Sequence, residues 1–385
     1  MSWDSIRFGD LYSEDSRNGL TKPSKVRGSG YKMINMGELF ANDRIYDIPM
    51  ELVPLKDSEK KNAKVEKGDL LFARQSLVLE GAGKCCIVMD VSSLTVFESH
   101  LIRVRLDKTK ANPLFYYYYF KSPFSPVSTI VSQCAQAGIR GSDLQELDVS
   151  FPPLPVQDRI ASILTKYDEL IENNQKQIKL LEEAAQRLYK EWFVDLRFPG
   201  HENTEILDGI PAGWRIEEVG KLIGKVPRTT QIMTANYHKS GKIPIIDQSK
   251  TFIAGYTDDE TALVDLGEPV IVFGDHTRIL KYIQFPFAKG ADGTQLIVSA
   301  NKNMPQSLLY CGLVNIDLSN YHYARHFKYL KAESLLVPII DIAKQFDEYA
   351  GDLFKRIQVL RDEISSATEA RDRLLPKLMS GEIEL

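Results

Sequence analysis

The sequence predicts a mixed α/β (α+β) fold in which two strand-rich domains are each followed by one long helix. The 385-residue chain exceeds the size at which a single hydrophobic core usually stops growing, so two domains are expected. The halves also repeat, because a proline-led segment at Pro152 returns 186 positions later at Pro338, each time before a long helical pattern. Short β-branched and aromatic runs bounded by Gly, Pro and Asp fill both halves. Together these observations indicate a pseudo-two-fold internal repeat.

The composition is that of an ordinary folded protein, with 43% hydrophobic and 26% charged residues. The first residues lack the basic start and apolar stretch of a signal peptide, and no run approaches the roughly 20 apolar residues of a membrane helix. We therefore expect a cytoplasmic protein without a membrane partner. The four cysteines have neither metal-ligand nor disulfide spacing, and we interpret them as reduced apolar side chains.

The first strand-rich domain is predicted over residues 1–150. It opens with Trp-Asp-Ser-Ile-Arg-Phe-Gly at residues 3–9, and residues 69–73 and 86–89 have the composition of strands. Six consecutive aromatic residues occupy positions 115–120. Because consecutive side chains cannot all face one ligand, we predict that this run is a helix or strand packed into the core.

The first long helix is predicted within residues 151–196. Prolines at positions 152, 153 and 155 lie at its start, where their fixed backbone angle does least harm. Its apolar positions are separated alternately by three and four residues, which is the spacing of a coiled-coil seam. The seam consists of Ile171, Asn174, Ile178, Leu181, Ala185, Leu188 and Trp192.

The second domain is predicted over residues 197–334, and the second helix over residues 335–385. Residues 197–201 form a turn-rich linker, and Trp-Arg-Ile-Glu-Glu-Val-Gly at residues 214–220 repeats the opening of the first domain. The second helix repeats the seam with Ile357, Leu360, Ile364, Ala367, Arg371, Leu374 and Leu378. Each seam has one strongly polar member, Asn174 or Arg371. This residue is either a surface residue at a frayed seam or one that fixes the helix register.

Three sequence segments are, in combination, characteristic of one protein family. They are residues 68–74 (Gly-Asp-Leu-Leu-Phe-Ala-Arg), residues 151–157 (Phe-Pro-Pro-Leu-Pro-Val-Gln) leading into residues 160–164 (Ile-Ala-Ser-Ile-Leu), and residues 209–214 (Gly-Ile-Pro-Ala-Gly-Trp). With the half-chain repeat, they make the chain resemble the specificity subunits of type I restriction–modification systems over essentially its whole length. The resemblance implies two target-recognition domains, each reading one part of a split double-stranded DNA site, separated by two helices packed antiparallel. It also implies assembly with two modification subunits and with restriction subunits.

The second half departs from this pattern at one place. Residues 339–342, Ile-Ile-Asp-Ile, replace the second Pro and the Gln of the first half, so Gln157 has no equivalent at Ala343. The departure affects only how closely the beginnings of the two helices match.

The helix pair is expected to act as a spacer. The 37 residues from Gln157 to Phe193 span about 55 Å as a helix, more than the roughly 34 to 36 Å of one DNA turn. Domains at the ends of such a spacer would contact separate DNA segments and leave base pairs between them unread. The helices are also expected to dock modification subunits, with Leu170, Tyr189 and Phe193 as candidate contacts, although packing within the helix pair explains these residues as well.

Catalytic motifs are missing from the sequence, so we expect no enzyme activity. Residues 112–115, Asn-Pro-Leu-Phe, lack the second Pro that an adenine methyltransferase motif requires, and residues 83–85 and 241–243 fail the phosphate-binding loop pattern. Carboxylates and histidines show no metal-ligand spacing. We expect no cofactor on this chain, and we expect S-adenosylmethionine, ATP and Mg on the partner subunits.

Candidate DNA-binding residues lie in polar turns next to the predicted strands, and their side chains are of the types that hydrogen-bond to bases or phosphates. In the first domain they are Arg74, Gln75, Lys84, Gln133, Gln136 and Arg140. In the second domain they are Arg228, His276, Thr277, Arg278, Lys289, Asp292, Thr294, Gln295 and Arg325. Lys225 and Lys281 are further phosphate candidates. For any single residue, an ordinary surface role is the alternative.

The net charge of −4 does not indicate a free-standing DNA-binding protein. Acidic residues exceed basic ones in the two helical segments, so attraction to phosphates must come from local patches or from partner subunits. An alternative function is therefore a non-catalytic scaffold whose helices dock partner subunits. The Gly-flanked polar turns favour DNA reading, because a scaffold does not require them.

Overall fold

The computed structural model describes residues 3–133, 137–321 and 325–384. The chain forms two compact units. The first unit comprises residues 1–172 and 365–385, and the second comprises residues 173–364. Each unit therefore contains one end of both long helices, whereas the sequence division treated the helices as segments of their own.

The first unit is rich in short strands. Its strands are β1 (Ser5–Arg7), β2 (Tyr12–Asn18), β3 (Tyr31–Ile34), β4 (Arg44–Ile45), β5 (Glu51–Val53), β6 (Leu70–Ala73), β7 (Gln75–Ser76), β8 (Cys85–Val88), β9 (Thr95–Phe97), β10 (Leu101–Leu106), β11 (Ser132–Gln133), β12 (Ala137–Gly138) and β13 (Asp148–Ser150). Its helices are α1 (Met36–Ala41), α2 (Asp57–Asn62), α3 (Pro113–Lys121), α4 (Gly141–Gln145) and the first part of α5 (Leu154–Tyr189).

The strands of the first unit form a five-stranded sheet in the order β2-β10-β6-β8-β4, with smaller sheets β5-β3-β9, β11-β12-β7 and β1-β13. All four residues of β6 are buried, as expected of a continuous apolar run covered on both faces. The aromatic run 115–120 lies in α3, and its six side chains are buried in the same core as Leu70 and Phe72. The prediction that this run packs into the core is confirmed.

The second unit has a similar composition of elements. Its strands are β14 (Ile206–Leu207), β15 (Ile210–Pro211), β16 (Arg215–Glu218), β17 (Ile243–Ile246), β18 (Gly255–Thr257), β19 (Leu263–Val264), β20 (Val270–Gly274), β21 (Leu280–Ile283), β22 (Phe287–Lys289), β23 (Thr294–Ile297) and β24 (Ser334–Val337). Its helices are the end of α5, α6 (Val219–Leu222), α7 (Gln306–Asn315), α8 (Phe327–Ala332) and most of α9 (Ile340–Met379).

The internal repeat extends from the helices into the strand core. In the first unit β6 lies between β10 and β8, and in the second β20 lies between β23 and β21, with every pair antiparallel. The arrangement β5-β3-β9 recurs as β18-β17-β22, including the parallel pairs β3/β9 and β17/β22. In each unit the first strand of the repeated opening segment also pairs with the strand that precedes the long helix. These pairs are β1/β13 and β16/β24. The predicted mixed, strand-rich repeat is thus confirmed.

The two long helices pair along the predicted seams. Within the second unit Asn174 Nδ2 donates to Glu363 Oε2 at 2.8 Å, and Arg361 Nη2 donates to Glu182 Oε1 at 3.0 Å. Residue numbers rise along one helix while their partners fall along the other, so the helices run antiparallel. Within the first unit Arg371 Nη1 lies 2.6 Å from Asp168 Oδ1. Both polar seam residues therefore bond across to the other helix, which favours a role in fixing register.

The ends of the two long helices have two irregular features. Residues Lys190–Val194 form a π-helical turn that continues the first helix. Pro376 lies inside the second helix, three residues before its last residue, Met379. Tyr189 and Phe193, which were candidate docking contacts, are buried in the core of the second unit, whereas Leu170 is exposed.

The missing glutamine of the second half is replaced by a residue far away in sequence. In the first unit Gln157 is fully buried, and its Nε2 donates to the carbonyl of Pro152 at 2.8 Å. In the second unit Asn303 Nδ2 donates to the carbonyl of the matching proline, Pro338, also at 2.8 Å. The same carbonyl at the start of each long helix thus receives a side-chain amide.

Candidate nucleic-acid interface

The second unit brings three polar loops together at the carboxyl ends of its strands. β17 and β22 run parallel, so the residues that follow them emerge at one edge of the sheet. The third loop follows β20. Gln248, the second residue after β17, joins them. Its Nε2 donates to the Asp292 carbonyl at 2.8 Å, its Oε1 accepts from the His276 amide at 3.1 Å, and its carbonyl accepts from Thr277 Oγ1 at 2.7 Å. The structure therefore groups His276, Thr277 and Asp292, which belong to two separate turns in the sequence.

Gln248 was not among the predicted residues. The available signal was its position, since it lies two residues after the apolar run 243–246, much as the predicted loops follow their own apolar runs. Its contacts are with loops 28 and 44 residues away, which a local pattern does not reveal.

Arg278 is exposed and firmly positioned. It adopts a left-handed backbone conformation with φ of 62°, which is uncommon for a residue other than glycine. Its Nη2 donates to the Tyr321 carbonyl at 2.9 Å, and its Nε donates to His326 Nε2 at 3.2 Å. The buried Asp275 fixes the same region, because its carboxylate accepts from the Phe327 amide at 2.7 Å. A guanidinium held in this way can present its remaining N–H groups to a partner at a low entropic cost.

The first residues of β23 differ in accessibility. Gln295 is half-buried, and Lys289 at the end of β22 is half-buried with a pKa lowered by burial. Thr294 is 1% exposed, and its hydroxyl donates to the Ala291 carbonyl at 2.9 Å. The structure thus places Thr294 inside the turn, and we remove it from the residues proposed to contact DNA.

The phosphate candidates of the second unit also divide by exposure. Lys225, Arg228 and Arg325 are exposed, and no side-chain hydrogen bond or ion pair is found for them within the described residues. Lys281 is buried, and its Nζ donates to the Thr251 carbonyl at 2.6 Å. Burial lowers the pKa of Lys281 to about 8. Its suggested role at phosphates is therefore corrected to a structural one.

In the first unit the two predicted polar segments also meet. β7, which contains Gln75, pairs with β12, and the Ile139 amide donates to the Arg74 carbonyl at 2.9 Å. His100 Nδ1 lies 2.9 Å from Gln75 Oε1, and the Arg74 amide donates to the His100 carbonyl at 2.8 Å. His100 precedes β10 and was not predicted, because isolated histidines in loops are usually structural.

The remaining candidates of the first unit have different surroundings. Lys84 is paired with Asp43 at 3.3 Å and donates to the Phe40 carbonyl, so its charge is compensated within the unit. Arg140 is exposed just before α4. Gln133 ends β11, but its side chain lies outside the described residues, as does the whole of Gln136.

Across the described ranges, no group of three or more His, Cys, Asp or Glu is placed to hold a metal ion. Of the helices in the part of the chain that the structure describes, none has the length and apolar character needed to cross a membrane.

Comparison with known proteins gives a consistent result. The family model described as type I restriction modification DNA specificity domain matches residues 2–183. The MjaIX specificity subunit of Methanocaldococcus jannaschii is 27% identical over 300 residues, covering 71% of this chain and 69% of that protein. The first half of the chain thus matches the specificity domain of type I restriction–modification systems, and the chain is similar to specificity subunits of that family.

Other specificity subunits are similar to this chain along its full length. The putative MjaX specificity subunit of Methanocaldococcus jannaschii is 23% identical over 419 residues, covering 100% of this chain and 94% of that protein. The crystal structure of a type I restriction–modification S subunit from M. genitalium has a TM-score of 0.62 at 17% identity, covering 98% of this chain and 96% of that one. At this identity the structural likeness establishes the fold of the specificity subunit.

Proposed function

We propose that this chain reads a bipartite, asymmetric DNA target, with each unit recognising one half-site, and performs no catalysis itself. The observation that carries the proposal is the repeated strand core with different side chains at its equivalent loops. After β6 the first unit presents Arg74 and Gln75, whereas after β20 the second presents His276, Thr277 and Arg278. Because the hydrogen-bonding groups differ, the two half-sites should differ in sequence.

The proposal assigns two kinds of contact to the second unit. Arg278 has the fork geometry that suits the two acceptors of guanine, and Asp292 can accept from the amino group of cytosine. Arg228 and Arg325 are exposed cations that suit phosphate contacts, which position the protein without reading sequence. The first unit would use Arg74, Gln75 and Arg140, with His100 as an additional hydrogen-bonding side chain.

The helix pair would act as the spacer and docking platform for two modification subunits, and restriction subunits would join the complex for cleavage. Support comes from large apolar side chains that remain exposed on the helices, among them Leu180 and Tyr349. In this arrangement S-adenosylmethionine, ATP and Mg bind to the partner subunits, and this chain determines the DNA sequence at which the complex acts.

Co-expression of the chain with its modification subunit, followed by single-molecule sequencing for methylated adenine, tests the proposal. The expected result is a split motif with two dissimilar halves. Exchange of residues 201–334 for the equivalent region of another family member should change one half only. Absence of new methylation despite a stable complex would contradict DNA reading and support the scaffold alternative.

Two variants separate the proposed contacts within that assay. Arg278→Ala should relax the motif at one or two positions of one half-site, at a cost of about 1–3 kcal/mol per base contact. Arg228→Ala should weaken binding equally for all sequences and reduce its salt dependence. Equal loss at every sequence for both variants would remove Arg278 from base reading.

A further inference from the structure

The hairpin between β6 and β8 ends in three consecutive apolar side chains that face solvent. Leu77, Val78 and Leu79 are 89%, 60% and 49% exposed. Leu79 lines a cavity of about 650 Å³ together with Phe120 and Val127. Leu77 and Val78 do not line this cavity, so the hairpin presents two large apolar groups to whatever approaches its tip.

The structure holds this tip in place. At its base the Ala73 amide donates to the Lys84 carbonyl at 2.9 Å, and within it the Val78 amide donates to Ser76 Oγ at 3.1 Å. Gly81 closes the turn, because a Cβ there would lie 2.2 Å from Ser76 Oγ. The exposure of Leu77 and Val78 therefore belongs to an ordered hairpin with its own hydrogen bonds.

The tip continues directly from the residues proposed to read DNA. Gln75 and Ser76 form β7, and Leu77 follows at once. A hairpin that places Gln75 against a base edge would bring the next side chains to the same groove. The apolar group that a base edge offers there is the C5-methyl of thymine.

The equivalent turn of the second unit has a different chemistry. Between β20 and β21 only residues 275–279 intervene, and the exposed members are His276, Thr277 and Arg278. A contact with a thymine methyl should therefore be a property of one half-site and not of the other.

We propose that Leu77 and Val78 read the methyl group of a thymine in the half-site recognised by the first unit. The inference rests on the proposed function, since it requires that this unit binds DNA. Burial of one methyl group against these side chains should change affinity by about three- to tenfold.

The experiment measures binding of the complex between the full chain and its modification subunits to DNA duplexes. The duplexes carry the motif that the methylation sequencing identifies. Deoxyuridine, which lacks the methyl group, replaces each thymidine in turn. We expect a three- to tenfold loss of affinity at one position of the first half-site and no position-specific loss in the second. The double variant Leu77→Ser with Val78→Ser should bind more weakly by a similar factor and lose its sensitivity to deoxyuridine.

Leu207→Ser is the matched control, because Leu207 is 53% exposed in the β14/β15 hairpin of the second unit. It should keep the wild-type affinity and the wild-type response to deoxyuridine. Retained deoxyuridine sensitivity in the double variant, or none in the wild type, would overturn the inference while leaving sequence-specific binding intact. Loss of assembly with the modification subunits in the double variant would also overturn it, because the tip would then be a protein contact. Failure of the wild-type complex to prefer any sequence would instead refute the proposed function.

Discussion

Replacing Asp168 by Asn tests a buried ionic network that joins α3, α5 and α9 within the first unit. Asp168 is 6% exposed. Its Oδ1 lies 2.6 Å from Arg371 Nη1, its Oδ2 accepts from the Tyr118 hydroxyl at 2.6 Å, and Arg44 Nη1 lies 3.8 Å from Oδ2. Asn keeps the shape and can still accept from Tyr118. The substitution therefore removes the charge with little change in volume.

The expected loss follows mainly from the burial of Arg44. Arg44 is 7% exposed, and its Nε and Nη1 atoms have no hydrogen-bond partner, so ion pairs with Asp168 and Glu172 are what compensate this charge. Removing one member of a buried ion pair typically costs 3–5 kcal/mol, because the remaining charge stays buried and uncompensated. For a unit of this size, such a loss should lower the midpoint of thermal unfolding by about 10 °C.

Hydrogen exchange followed by mass spectrometry is the suitable assay, because a two-unit chain need not unfold in one step. Peptides from α3 and from the first part of α5 should lose protection in Asp168→Asn. Glu183→Gln is the control, since Glu183 pairs with the exposed Lys179 at 4.0 Å and should change stability by less than about 0.5 kcal/mol. If the two variants lost equal stability, the reasoning about burial would be refuted. Combining Asp168→Asn with Arg371→Met should cost less than the sum of the single changes.

Three further predictions concern the second unit. Because burial lowers the pKa of Lys281 to about 8, the unfolded chain binds more protons between about pH 8 and pH 10.5, so stability should rise with pH there. Lys281→Met should reduce the dependence of the free energy of unfolding on pH, measured by urea unfolding, by up to about 1.4 kcal/mol per pH unit. An unchanged pH dependence would contradict the lowered pKa of Lys281. Gln248→Ala should release the three loops and weaken binding to the second half-site by at least tenfold, with circular dichroism unchanged; equal weakening at both half-sites would contradict this. Asn303→Ala should cost about 1–2 kcal/mol and increase hydrogen exchange at the start of α9, whereas Asn315→Ala, which removes an exposed amide and keeps the bond to Pro338, should leave that peptide unchanged.

Periodicity was enough to predict the two long helices and their seams. The three-four spacing fixes which side of each helix is apolar, and Ile357, Leu360 and Ala367 are buried as expected. The strand-rich domains were predicted from short apolar runs, and β6 and β20 lie where those runs occur. Such patterns succeed because they report a local choice of backbone and of buried face.

For the candidate site, the sequence predicts which loops carry it but not which of their side chains are available to a ligand. Arg278 and Lys281 are close in sequence and both cationic, yet one is exposed and the other donates to a carbonyl 30 residues away. Lys84 is likewise compensated by Asp43, 41 positions earlier. Whether a polar side chain is available to a ligand depends on partners that the fold brings from a distance, and a single sequence does not contain that information in local form.

The repeat also shows why a shared backbone pattern does not predict shared chemistry. The offset of 186 positions maps Asp168 onto Phe354 and Ala185 onto Arg371, so the positions of the ionic contact in the first unit are occupied by apolar residues in the second. Phe354 and Ala185 are both buried in the core of the second unit, where Phe354 packs on Tyr282 with ring centroids 4.5 Å apart. An apolar pair contributes to stability at almost any register, whereas an ion pair is favourable only when both charges meet. Both units therefore have polar contacts that depend on the register of the helix pair, and at the positions equivalent to the Asp168–Arg371 pair the second unit instead has buried apolar residues.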